Sequence, residues 1–286
     1  MIRKITLVLL LFLLITPVSY AKVVCTTTVL ASIVEDLTGE KCEVIAPPTV
    51  CPGHYDIKPS DIEKVRDADV VFAHGFEPWV DELVNASKSK AKVVKIPGPW
   101  NSPSLLRDKY IKIAAELENL GYRTNIDKCL ESINQTEKYL KMFAIERGFV
   151  DTPVICMQWQ KNFIEFLGFK ILATYPPPEM VSAKKYSEIL EKGKGAKLVI
   201  DNLQSGTELG EKIAKELGAV EVAISNFPMD GNVTEMMIEN AEKLAEALKQ
   251  AKEVKEVKVS PGFELLTIGF SVAVVFLLRL IKSKAK

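Results

Sequence analysis

Only two histidines occur in the 286 residues, and the first stands in Val50-Cys-Pro-Gly-His54. A thiol and an imidazole three positions apart, turned by Pro52-Gly53, can face the same cation. Thiolate with imidazole suits zinc at about 2.0–2.3 Å, or a softer ion such as cuprous copper. Surroundings rich in sulfur and poor in carboxylate argue against manganese, magnesium and calcium. The second histidine, His74, and Cys156 each close a β-branched run, with Met157 and Gln158 directly after. Asp201 ends a later run, and Tyr55 follows His54. If these ends meet, His54, Cys51, His74 and Cys156 form the metal set, and Gln158, Asp201, Met157 and Tyr55 line its cleft. Plainer roles compete at each position. Cys51 could pair with Cys42 in a small disulfide loop, and His54 could cap its own turn. His74 could bond the backbone, Asp201 could fix a helix start, and Met157 could pack. Cys25, Cys42, Cys129 and Cys156 also read as small buried residues, a common place for free cysteine.

The elements that must position these groups alternate regularly. Strands are predicted at 23–26, 42–46, 70–73 and 92–96, then at 153–157, 169–173, 197–200 and 220–224, with helical patterns between them. This alternation predicts an α/β fold of two Rossmann-like lobes, each a parallel sheet covered on both faces. Ser60-Asp-Ile-Glu63 reads as a capping box, and Ser182 opens the matching helix of the second half. Ile126, Cys129, Leu130, Ile133, Leu140 and Phe143 fall on one 3.6-residue stripe. They predict a single connecting helix of about six turns, roughly 35 Å long. In open parallel sheets, ligands bind beyond the carboxyl ends of the strands. The organisation expected is therefore a lobe over 22–122, a bridging helix over 123–148, a second lobe over 149–250 and a linker over 251–262.

The two ends read as export and anchoring signals. Arg3 and Lys4, the apolar run from Ile5 to Ile15 and Ser19-Tyr-Ala21 predict a signal peptide over 1–21. Residues 263–286 hold an apolar stretch of about 19 residues closed by Arg279, Lys282, Lys284 and Lys286, enough to span a bilayer with the cations on the cytoplasmic side. The expectation is an exported protein at the cell surface, held to the cytoplasmic membrane by its C-terminus as a helix or a lipid. Basic and acidic residues number 37 each. Six cations (Arg3, Lys4, Arg279, Lys282, Lys284, Lys286) and Glu264 lie in the two ends, so the body is negative by roughly five charges and nucleic acid is not an expected partner. No Ser-His-Asp ordering, phosphate loop or paired-carboxylate motif is present, so an enzyme is not expected. Trp100, Trp159 and Tyr175-Pro-Pro-Pro-Glu179 fit a pocket for an organic solute or a metal complex.

Several segments together resemble the metal-binding solute-binding proteins of ABC importers, the zinc/manganese group of the bridging-helix type (cluster A-I). They are VVCTTTVLASIVEDLTGE from Val23, Tyr55 with Pro59-Ser60-Asp61, Ala68-Asp-Val-Val-Phe-Ala-His-Gly-Phe-Glu-Pro-Trp79, Ala214-Lys-Glu-Leu-Gly218 and Met236-Met-Ile-Glu-Asn240. The resemblance covers most of 23–247. It implies capture of a metal ion or small solute between the lobes and delivery to an ABC permease and its ATPase. Zinc or another transition metal would be cargo, with no catalytic cofactor. The family's site is three histidines and a carboxylate, and this chain departs from it. Gly53 stands at the first histidine, with His54 displaced by one. The second falls near Asn101 or Ser102, the third at Met157 or Gln158, and the carboxylate near Ser225 or Asn226. Pro261-Gly-Phe263 with its apolar, basic-ended tail resembles an archaeal sorting signal, which implies cleavage and replacement by a lipid.

Overall fold

A computed structural model describes residues 21–259. The signal peptide and C-terminal tail expected from the sequence lie outside these residues, apart from Ala21. Among the described residues no helix is long and apolar enough to cross a membrane.

The first lobe runs β1 (Val23–Cys25), α1 (Thr28–Thr38), β2 (Glu43–Val44), α2 (Pro59–Arg66), β3 (Val70–Ala73), α3 (Val80–Ser87), β4 (Lys92–Lys95) and α4 (Pro103–Asn119). Helix α5 (Ile126–Arg147) follows, 22 residues and so about 33 Å long. The second lobe runs β5 (Pro153–Met157), α6 (Lys161–Phe166), β6 (Lys170–Tyr175), α7 (Ala183–Lys192), β7 (Leu198–Asn202), α8 (Glu208–Leu217) and β8 (Val220–Ile224). Helix α9 (Val233–Val259) returns the chain, so much of the segment expected as a linker is helical. Each lobe is a four-stranded, all-parallel sheet, in the orders β2-β1-β3-β4 and β6-β5-β7-β8. The two halves thus share one winding, as their echoing sequence patterns predict.

Local chemistry explains the boundaries. Helix α2 begins earlier than the Ser60 signal suggests. Pro59 takes the first helical position, where its missing N–H costs nothing. The carboxylate of Asp61 then accepts the Lys58 backbone N–H at 2.9 Å and the Tyr55 hydroxyl at 2.8 Å. Ser182 caps α7 as expected, accepting from the Lys185 N–H at 3.2 Å. Gly148 closes α5 in the left-handed conformation (φ 74°), which a side chain would disfavour.

Packing ties the lobes together. One apolar core runs from α1 and α4 through Cys129, Ile133, Leu140 and Phe143 of α5 into Phe149, Val154, Leu198 and Met236 of the second half. Helix α9 packs on β8, on α5 and on α1. Smaller clusters cover the other face of each sheet, around Val24, Val71 and Leu83 in one lobe and Ile155, Val199 and Ile213 in the other. A continuous core of this kind resists wide opening and favours small rigid-body movement.

Candidate functional site

The loops after the strand carboxyl ends of the two lobes touch one another, and the contact centres on Trp100. Its indole N–H donates to the Asn226 carbonyl at 2.7 Å. Its ring stacks on His74 at 4.1 Å and lies 5.5 Å from Phe227. Asn101 donates to the Trp159 carbonyl at 2.7 Å, and Gln204 donates to the Pro48 carbonyl at 2.9 Å. These bonds cross from one lobe to the other and hold the cleft together.

His74 follows β3 and is buried between Trp100 and Phe76. Its Nε2 and the Thr27 hydroxyl hydrogen-bond at 2.8 Å, while Nδ1 has no partner. Burial takes the imidazole down to about 4, against the pull of Glu77 and with the help of Lys109, so the ring is neutral at pH 7. Glu77 is occupied locally. It accepts from the Thr26 hydroxyl (2.6 Å) and from the backbone N–H groups of His74, Gly75 and Phe76. Burial raises its carboxyl, but the His74 ring and these donors outweigh burial and hold it below the usual range.

Cys51 and His54 lie on a single 3-10 turn, Pro52–His54, beyond the end of β2. The His54 N–H donates to the Cys51 carbonyl at 3.0 Å. Trp79 pins the turn by donating its indole N–H to the Pro52 carbonyl at 2.7 Å. Cys51 is half-buried and His54 exposed. All five cysteines are free, so Cys51 is not bonded to Cys42. Tyr55 turns inward, its ring edge-on to Trp79 at 5.4 Å and its hydroxyl on Asp61.

The other expected groups point elsewhere. Cys156 is fully buried in the main core, and burial pushes its thiol up to about 12. The reason is the pleat: a residue inside a strand faces the helices that cover the sheet, not the cleft beyond its end. Met157 belongs to the opposite apolar cluster, where its sulfur accepts the Trp159 N–H at 3.3 Å. Asp201 is buried and accepts from the Tyr175 hydroxyl. Burial pushes its carboxyl up to about 8, against that hydrogen bond and assisted by Glu221. A Cβ on Gly210 of α8 would stand 1.7 Å from Asp201 Oδ2, so only glycine allows this approach. Gln158 is half-buried on the turn after β5. The structure therefore does not gather Cys51, His54, His74 and Cys156 into one ligand group. Among the described residues, no three His, Cys, Asp or Glu side chains are grouped so as to hold a metal ion.

What sequence reasoning passed over is the amide character of the junction. Asn101 Oδ1, Asn226 Oδ1 and His74 Nδ1 are buried without partners, and each belongs to Trp100, to its sequence neighbour or to a group that it touches. Gln204 bonds Ser225 and the Asn226 N–H at 2.8 and 3.2 Å, and Gln160 donates to the Ile224 carbonyl at 3.1 Å. The signal available was that Asn101 and Asn226 stand where the resemblance expects ionisable ligands.

Comparison with known proteins gives consistent results. The profile of the family described as ZnuA, "Zinc-uptake complex component A periplasmic", matches residues 23–247. An uncharacterized Rickettsia prowazekii protein, RP014, is 37% identical over 84 residues, 27% of each chain. The iron ABC transporter substrate-binding lipoprotein MtsA of Streptococcus pyogenes is 35% identical over 80 residues, 25% of this chain and 26% of its own length. The match thus spans about a quarter of the length of these curated relatives. A zinc-bound deletion mutant of ZnuA superposes with a TM-score of 0.67 at 19% identity, covering 80% of this chain and 98% of its own. That likeness establishes the fold.

Proposed function

The chain belongs to the ZnuA family of periplasmic zinc-uptake components, and on that premise we propose that it is the extracytoplasmic solute-binding protein of an ABC importer. The fold supports this reading directly, because two parallel-sheet lobes meet at their carboxyl ends around a shared junction. Its cargo is a transition metal ion, zinc or a softer one, taken up first by Cys51 and His54. The observation that carries this assignment is the turn itself. Its tight 3-10 backbone keeps Cys51 and His54 three positions apart in a loop that the other lobe also touches, through the Gln204–Pro48 hydrogen bond, and this supports reading them as a ligand pair. Two side chains leave coordination positions open for further donors or water. Ligation needs a thiolate and a neutral imidazole, so affinity falls on acidification. Capture would be followed by a small movement of one lobe against the other, then release on docking to the permease and its ATPase. The chain acts as a carrier and not as an enzyme, exported and tethered to the cytoplasmic membrane through its C-terminal segment.

A second reading keeps the transport role and changes the cargo to a small non-metal solute or a metal complex. It is favoured by the neutral acceptors Asn101 Oδ1, Asn226 Oδ1 and His74 Nδ1, which would receive hydrogen bonds from a donor-bearing ligand. Metal titration of the reduced protein beside a Cys51→Ser/His54→Ala variant separates the two. Stoichiometric zinc or copper that disappears in the variant supports the ion. No binding by either form overturns it in favour of the solute.

A further inference from the structure

Exposed apolar side chains gather at the end of the molecule opposite the cleft. Tyr139, Met142 and Ile145 follow one another at three-residue spacing on α5 with exposures of 44%, 62% and 69%, and Val150 just past the helix is 51% exposed. Side chains at that spacing are neighbours on a helix surface. Helix α5 leads into the amino end of β5, where the Asp151 N–H donates to Gly168 and the Lys170 N–H to Thr152, each at 2.9 Å. The patch therefore sits at the amino edge of the second sheet. The cleft lies at the carboxyl edge.

The chain leaves the described structure at this same end. Helix α9 starts beyond the carboxyl end of β8 and runs back along α5. Its Lys252 Nζ comes within 3.7 Å of where a Cβ on Gly148 would stand. The helix continues to Val259, about 10 Å further, and some four residues later, at most roughly 15 Å of chain, the sequence reaches the apolar segment from Phe263 to Ile281. A tether this short keeps the end of α5 close to whatever holds the segment, so even a weakly apolar face is presented to it at high effective concentration. Exposed Glu146 shares this face of the helix, and Lys141 and Lys252, also exposed, stand at its margin. The long lysine stems suit a headgroup boundary.

We propose that, while the protein is not docked on its permease, Met142, Ile145 and Val150 seat this end of it on the lipid surface. The inference rests on the tethered part of the function proposed above. It assigns the bilayer as the partner of a face that the transport role leaves unused.

The test uses the full chain in vesicles of phosphatidylcholine and phosphatidylglycerol, with a photoreactive phenylalanine analogue in place of Ile145. The control carries it in place of Met180, a residue 68% exposed in the loop after β6 on the cleft side. The expected result is lipid adducts at position 145 about tenfold above those at 180, as for a side chain held at the headgroup boundary. Equal adducts at the two positions overturn the proposal. Adducts from position 145 to a second copy or to the chain's own C-terminal segment overturn it by naming a different occupant. A chain that does not float with the vesicles overturns it one step earlier, at the tether, and leaves the cargo reading to the metal titration.

Discussion

Replacing Asp201 with asparagine should stabilise the protein at neutral pH and flatten part of its pH dependence. Asp201 is buried beneath α8, and its carboxyl rises from 3.8 to about 8. A carboxyl raised on folding imposes no penalty below about pH 4, where folded and unfolded chains are both protonated. As pH rises through the window from about 4 to 8, the unfolded chain loses its proton first. Stability then falls by about 1.4 kcal/mol per unit. At pH 7 the limit is about 4 kcal/mol for an isolated group. Asp201 Oδ2 and Glu221 Oε1 both lack a donor, and one proton between the two carboxyls would satisfy both. The pair then titrates jointly, and sharing brings the effect of Asp201 alone to about 2–3 kcal/mol. The Asp201→Asn variant, which keeps an acceptor for the Tyr175 hydroxyl, should melt roughly 4–10 °C above the parent at pH 7 and with it near pH 4. Urea and thermal melts of both forms from pH 4 to 8, plotted as a difference, provide the check. A difference independent of pH, or one that shrinks as pH rises, would refute the reasoning.

His74 supplies the opposite limb. Its folded value near 4 lies below the ordinary 6.5, so stability is lost as pH falls from about 6.5 to 4, by about 3.4 kcal/mol in the limit. His74→Gln should remove that acid-side loss, read from the same melts. Trp100→Ala deletes the indole that joins His74, Asn226 and Phe227; about 3–5 kcal/mol of stability should go with it. Amide exchange should quicken in the loops around Asn101 and Asn226, and unchanged exchange there would contradict the pinning role. Maleimide at pH 7.5 should label Cys51 quickly and leave Cys156, whose thiol is pushed up to about 12, untouched until the protein is denatured, as peptide mass spectrometry would show. Gly210→Ala should cost about 1–3 kcal/mol, because the methyl group would run into Asp201.

The fold was legible because its signals are repeated and local. β-Branched runs mark the strands, and the stripe from Ile126 to Phe143 marks the connecting helix to within a few residues. The site was less legible, because membership of a strand end is a matter of one or two residues. Cys156 stands one residue before the end of β5 and Asp201 one before the end of β7, and each faces packing rather than the cleft. His74, just past β3, does reach the junction. The turn of Cys51 and His54 was readable from Pro52-Gly53. The contacts of Trp100 with His74 and Asn226 join residues 26 and 126 positions away in the chain, and no local pattern announces them.

The path of α9 has a consequence for the order in which the protein is assembled. Each sheet draws its strands from one continuous half of the chain, so either lobe can wind as soon as its own half has emerged. The pieces that fasten the halves come later. Met236, Met237, Leu244 and Leu248 of α9 fill the core shared with α5 and α1. Until they arrive, two finished sheets share an uncovered seam. The closing step therefore waits for the helix that follows β8, and a chain cut before Val233 would keep both sheets with the seam between them open.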